Sequence, residues 1–251
     1  MKNTSLKSIG LLVLTAALSG TGLAQTAYEI SFDESSVGLD HGSLFTGNEY
    51  GSLGGGVTFT VDSKGSHDQL LTFDTDITSG TADPDLESTF VGGNLKGVKG
   101  LGKALIIAEN VIDRDQNGLV DSPDDEARGG TIGVVFANTN INEVGFSLYD
   151  TPENSNSDVS IVFKDSSGKT ATWRAPELLS HGSGVEFGNH FANKFSGIEA
   201  SKLGLTNIQS IDFNIESGAI DSLHFCVVPE PSSAALLALG LTACLTRRKR
   251  S

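Results

Sequence analysis

The chain has 251 residues, with 31 acidic against 17 basic side chains and a formal net charge of −14. A surface of that sign repels nucleic acid and anionic lipid, which excludes nucleic acid as a partner, and it suits cation binding or a solvated extracellular face. Cysteine is scarce: Cys226 and Cys244 are the only two, and the second lies inside an apolar tail, so stability has to come from a core and from bound ions rather than from disulfides.

Lys2 and Lys7 precede the uncharged apolar run Ile9–Leu18, and Gly22-Leu23-Ala24 offers small residues where a signal peptidase reads. Residues 1–24 therefore read as a secretory signal peptide cleaved after Ala24, with a retained anchor as the alternative. The chain is expected to be exported. The span Gln25–Val228 is a fair size for one domain. Without Lys2, Lys7, Glu230 and the four terminal basic residues, 11 basic and 30 acidic side chains remain, a net charge of −19.

This domain reads as all-β. Predicted strands, in order, are Tyr28–Asp33, Gly56–Val61, Gln69–Phe73, Ala104–Ala108, Thr131–Ala137, Val144–Tyr149, Val159–Lys164, Thr170–Trp173, Val185–Phe187, Ile208–Ile215 and Ala219–Phe225. Val57, Phe59 and Val61 alternate with polar residues, as do Val144, Phe146, Leu148 and Ile211, Phe213, Ile215. Gly, Asn, Asp and Ser clusters such as Asp165-Ser-Ser-Gly168 punctuate them. The one helical hint is Ile198–Leu203. About ten short strands with such turns predict a single β-sandwich, jelly roll-like.

The sharpest chemistry lies between Asp113 and Asp125. Numbered from Asp113, side-chain oxygens fall at positions 1, 3, 5 and 9 as Asp113, Asp115, Asn117 and Asp121, with Gly118 at 6, the Leu119 carbonyl at 7 and Asp124 at 12. A hard cation such as calcium needs six to eight oxygens, and this spacing wraps a loop around one. The pattern resembles an EF-hand or dockerin calcium loop, with aspartate at position 12 as in dockerins. It departs from them because the approach, Ala104–Ala108, reads as a strand, the exit, Gly129-Gly130, is no helix, and Pro123 stiffens the loop before its last ligand. The competing reading is a solvated acidic hairpin.

Other candidates carry paired readings. Asp74, Asp76, Asp83, Asp85 and Glu87 crowd one loop, either a second ion site or a solvated acidic turn. Asp33 or Glu34 could meet Asp221 at a structural ion if the chain ends converge. Trp173 beside Arg174 reads as a sugar-stacking platform or as core. Asn193 with Lys194 reads as a polar contact or a turn. The histidines, His41, His67, His181, His190 and His224, are scattered without zinc-ligand spacing, and Ser183 lacks the wider nucleophile-elbow pattern. No catalytic residues are nominated.

The stretch Asn138–Lys164, with Phe187-Gly188, Ala192-Asn193-Lys194, Ala200–Gly204 and Ser217–Phe225 after it and Phe73-Asp74-Thr75, Asp83–Leu86 and Leu105–Glu109 before it, resembles the β-sandwich module that often precedes a PEP-CTERM tail. That module is similar to galactose-binding-like and carbohydrate-binding jelly rolls.

The tail runs Pro229-Glu230-Pro231, then an uncharged stretch Ala234–Leu245, then Arg247, Arg248, Lys249 and Arg250. The 15 residues Ser232–Thr246 would form a short hydrophobic helix of about 22 Å, against a hydrocarbon core of about 30 Å. Pro229 and Pro231 block a helix entering from the domain, and the basic cluster marks a cytoplasmic end. An ordinary single-pass anchor is one reading. The order of the three parts resembles the PEP-CTERM sorting signal of exosortase-processed bacterial surface proteins. That resemblance implies a signal peptidase and an exosortase-type processing enzyme as partners. It implies transient insertion in the inner membrane, then delivery to the cell surface or extracellular matrix. The function expected is a non-catalytic structural or adhesive surface component, calcium-stabilised. The alternative is a lectin-like module with an exopolysaccharide or other surface glycan as ligand.

Overall fold

The computed structural model describes residues 25–34, 37–53, 56–138, 140–151 and 159–228. The predicted signal peptide with Ala24, and the tail with Pro229, Glu230, Pro231 and the basic cluster, lie outside the described residues. Among the described residues twelve strands follow in chain order: β1 Thr26–Ile30, β2 Leu44–Phe45, β3 Val57–Ser63, β4 Leu70–Asp74, β5 Lys103–Ile107, β6 Gly130–Phe136, β7 Ile141–Tyr149, β8 Ser160–Lys164, β9 Thr170–Arg174, β10 Ala192–Glu199, β11 Ser210–Ile215 and β12 Ala219–Val227, with one α-helical turn, α1, at Ala175–Leu178.

Two antiparallel sheets result. The first has the order β10-β7-β12-β5-β4-β2, with β1 also paired to β12; the second has the order β3-β6-β11-β8-β9. Alternation sets their packing, because side chains two apart share a face. Phe59 pairs with Val134 across β3 and β6, and Phe213 with Ile161 across β11 and β8, so the second sheet turns one apolar face inward. Val144, Phe146 and Leu148 of β7 and Leu223, Phe225 and Val227 of β12 meet it from the first sheet. Phe146 meets Phe213 edge-on at 4.9 Å between centroids, and Phe136 meets Phe225 at 5.1 Å.

The first sheet also buries much of its other face. Residues of β4 and β5 are buried nearly without alternation, as a strand covered on both sides requires. The connections 75–102 and 108–129 fold over this face and drop Leu86, Phe90 and Val120 onto Phe73, Ile106 and Tyr149, forming a second core. Phe90 lies 5.1 Å from Tyr149 by centroid. These two long loops place the acidic residues.

Two expectations about elements need correction. Val185–Phe187 is not a strand; the strand of this region is β10, farther along. Its alternation is broken because the pairing with β7 shifts between Phe195 and Ile198, with Gly197 at φ +66°, so both apolar residues face inward despite an odd spacing. The helical hint at Ile198–Leu203 is the end of β10 followed by a single turn, closed by the Leu203 N–H on the Glu199 and Ala200 carbonyls.

Candidate metal centre

The loop with calcium-like spacing does gather oxygens. Ligand atoms of Asp113, Asp115 and Asp121 lie within 4.8 Å of one another. Gly118 turns the chain at φ +88°, a conformation that favours glycine. The loop's own N–H groups hold the carboxylates: Asn117 and Gly118 donate to Asp113 at 3.2 and 2.9 Å, Asn117 to Asp115 at 3.2 Å and Arg114 to Asp121 at 2.8 Å. The Asn117 Oδ1 accepts from the Leu119 N–H at 2.7 Å. Burial acts upward on the Asp113 pKa, but the backbone donors and a contact with Asp115 outweigh it and hold this carboxyl below its usual range. Asp115, Asn117 and Asp121 are exposed.

Asp124, twelfth in the spacing, does not join that group. After Pro123 the chain turns inward, and Asp124 lies with Asp83 and Asp125, their ligand oxygens again within 4.8 Å. Asp150, from the end of β7, acts on the charges of both Asp83 and Asp125. Asp83 caps the 3-10 turn Pro84–Leu86, its Oδ1 accepting from the Asp85 N–H at 3.0 Å while Leu86 anchors the turn in the second core. Its Oδ2 is buried without a hydrogen-bond partner. Asp125 is fixed by a bridge to Ala108 and by the Gly218 N–H, which donates to its Oδ2. Asp150 sits at φ +51° and accepts from the His190 N–H at 2.7 Å and the Ser217 hydroxyl at 3.3 Å.

The electrostatics follow from that crowding. Asp83, only 7% exposed, is pushed up to about 8 by burial and then by the charges of Asp125, Asp150 and Asp124. Burial, then Glu109 and Asp125, raise Asp124 to about 6. Burial, then Asp150, raise Asp125 to about 6 even though the Gly218 N–H acts the other way. Buried like charges cannot all ionise unless a cation joins them. Oxygens on opposite sides of a calcium ion lie at most about 5 Å apart, given bonds of about 2.3–2.6 Å, which the 4.8 Å spread meets.

Of the crowded loop Asp74–Glu87, Asp83 brings its ligand oxygen into this cluster, and the charge of Asp85 acts on Asp150. Asp74 accepts from the Asp76 N–H at 2.9 Å, and Glu87 accepts from Thr81 at 2.9 and 2.7 Å. Asp33 and Asp221 are near enough for the charge of one to act on the other. Asp33, however, takes the Lys103 N–H at 3.0 Å and its ammonium at 3.4 Å, Glu34 takes the Tyr50 hydroxyl at 2.6 Å, and Asp221 takes the Tyr149 hydroxyl at 2.8 Å. Asn193 is fully buried and ties Glu186 to Asn94, accepting from both N–H groups at 3.1 and 3.3 Å. Trp173 is half-buried on edge strand β9; His181 stacks on it at 3.6 Å, within an open cavity of about 250 Å³ that also includes Glu199 and Lys202.

Sequence reading missed Asp125 and Asp150 as partners of Asp83, and it missed a third cluster, Glu143, His224 and Cys226. The His-x-Cys spacing on a strand was the available signal for the latter, since residues two apart share a face.

Fold and clusters together define a class: an all-β domain of two antiparallel sheets whose overlying loops converge carboxylates at one end. Compared with protein-family models, curated proteins and solved structures, the chain shows no match. Among the described residues no helix is long and apolar enough to cross a membrane.

Proposed function

We propose that this chain is an exported, non-catalytic structural or adhesive component of a bacterial cell surface or extracellular matrix, a jelly roll-like sandwich stabilised by calcium and sorted by its PEP-CTERM-like tail. The observation that carries the calcium reading is the buried Asp83 Oδ2, left without a partner among the carboxylates of Asp124, Asp125 and Asp150. A calcium ion there would tie the two overlying loops to the end of β7, offsetting the desolvation of the buried carboxylates. The strand path supports the jelly roll-like reading, since β6–β7, β7–β8, β9–β10, β10–β11 and β11–β12 each cross from one sheet to the other.

The glycan-binding reading draws on Trp173, the aromatic face of its cavity. His181 already covers that ring at 3.6 Å, so a pyranose would first have to displace it. That favours the structural role. Limited proteolysis tests the calcium reading: in calcium the loops 75–102 and 108–129 should resist cleavage, and in EDTA they should be cut first. A glycan array separates the structural role from the lectin-like one. Equal cutting in both conditions, or strong binding to one sugar on a glycan array, would reverse the assignment.

A further inference from the structure

We propose that the outer face of the first sheet, where β12 pairs with β7, carries a separate zinc site built from the buried Cys226 thiolate, the His224 imidazole and the Glu143 carboxylate. The residues of β12 alternate: Leu223, Phe225 and Val227 enter the core between the sheets, so His224 and Cys226 face away from it. Register then fixes their neighbours. Cys226 stands opposite Glu143 on β7 and Ala27 on β1, and His224 stands opposite Gly145 and Glu29. Directly opposed residues share a face with Cβ atoms about 4.5–5.5 Å apart, so three donors come together on two adjacent hydrogen-bonded strands.

Local backbone features shape this patch. Pairing between β12 and β7 shifts register between Asp221 and His224 and again between Cys226 and Val227, and Ser222 lies at φ +49°. Such bulges re-aim side chains. Gly145 has no room for a side chain: a Cβ there would stand 2.8 Å from the Phe195 carbonyl oxygen and 3.8 Å from the His224 Cβ. Position 145 therefore has to be glycine, and it sets no side chain against His224.

Distances and donor types agree with zinc. The Cys226 Sγ and His224 Nε2 are 3.9 Å apart, and the donor atoms of all three residues lie within 4.8 Å of one another. Tetrahedral zinc, with Zn–S of about 2.3 Å and Zn–N of about 2.0–2.1 Å, separates two such ligands by about 3.6 Å. A closure of a few tenths of an ångström brings the Cys226–His224 pair to that separation. Thiolate and imidazole favour zinc over calcium, whereas the all-carboxylate cluster under the loops favours the harder ion. Binding breaks the S–H bond of Cys226, forms a Zn–S bond and releases the proton to solvent, without oxidation or reduction. Three protein ligands leave a fourth position for water.

Cobalt(II) is the probe, because a thiolate ligand gives it a charge-transfer band in the near ultraviolet. The purified full chain should take one equivalent with that band, and zinc should abolish it. Cys226→Ser and Cys226→Ala should lose the band, while Cys244→Ser, which removes the only other cysteine, should keep it. His224→Gln and Glu143→Gln should each weaken cobalt binding by about 100-fold or more. Asp83→Asn should leave it unchanged, so this outcome is independent of the calcium reading. Far-ultraviolet circular dichroism of each variant checks the fold. No band in the wild-type chain, a band surviving in either Cys226 variant, or unaltered affinity in both His224→Gln and Glu143→Gln overturns the site.

Discussion

The loop Asp113–Asp121 and the cluster of Asp83, Asp124, Asp125 and Asp150 use the same side chain in opposite surroundings. In the outer loop Asp115 and Asp121 are exposed, backbone N–H groups donate to the carboxylates, and those on Asp113 hold its carboxyl below the usual range, so the loop is satisfied with no ion present. In the inner cluster burial pushes the carboxylates up, the charges of neighbouring carboxylates add to it, and the Asp83 Oδ2 has no partner. Spacing along the chain produces the first arrangement; only burial under two loops produces the second. A bound cation gains most where charge is least compensated, which is the inner cluster.

The largest expected effect comes from removing the cover. Phe90→Ala empties a fully buried position against Tyr149, and urea unfolding should show a loss of about 3–5 kcal/mol. The same variant should lose calcium protection of the inner cluster but keep the outer loop's backbone hydrogen bonds by amide exchange. Next is Asp125→Asn. At calcium a thousandfold above its dissociation constant, the wild type gains about 4 kcal/mol over the chelated state, and the variant should lose most of that gain. In EDTA the variant should match or exceed the wild type, because a repelling carboxylate is gone.

The pH dependence of the chelated protein should be smaller in size but opposite in sign to ordinary acid denaturation. Folded Asp83 binds its proton up to about pH 8, whereas in the unfolded chain it releases it near 3.8. The folded state thus holds more protons in that window. Stability from this group is fully present below about pH 4 and is lost as pH rises toward 8. Melting in EDTA should therefore fall between pH 5 and pH 8, and calcium should flatten that slope by replacing the protons. Smallest is the double change Asp113→Ala with Asp115→Ala, which should move the calcium-dependent melting by only a small fraction of what Asp125→Asn does.

Much of the fold was readable because three strands alternate without interruption. Val57-x-Phe59-x-Val61, Val144-x-Phe146-x-Leu148 and Ile211-x-Phe213-x-Ile215 all lie in strands and all contribute to the core. β10 was not readable, since its bulge puts Phe195 and Ile198 on one face at a spacing that mimics a helix. β2 has two residues and leaves no pattern. Leu86, Phe90 and Val120 look like isolated apolar residues in polar loops until the sheet beneath them is known. The site follows the same rule. Asp83 and Asp124 stood out in acidic stretches, but their pairing with Asp125 and Asp150 depends on long-range contacts that no local spacing encodes.

The most direct test is calorimetric melting of the wild type, Asp83→Asn with Asp125→Asn, and Asp113→Ala with Asp115→Ala, each in calcium and in EDTA. The account predicts a rise of about 10 °C with calcium for the wild type, taking about 4 kcal/mol of linkage and about 2–4 °C per kcal/mol at this size. It predicts nearly the same rise for the outer-loop variant and none for the inner one. A wild type that melts identically in calcium and EDTA, or a gain that survives in the inner variant and vanishes in the outer, would contradict it.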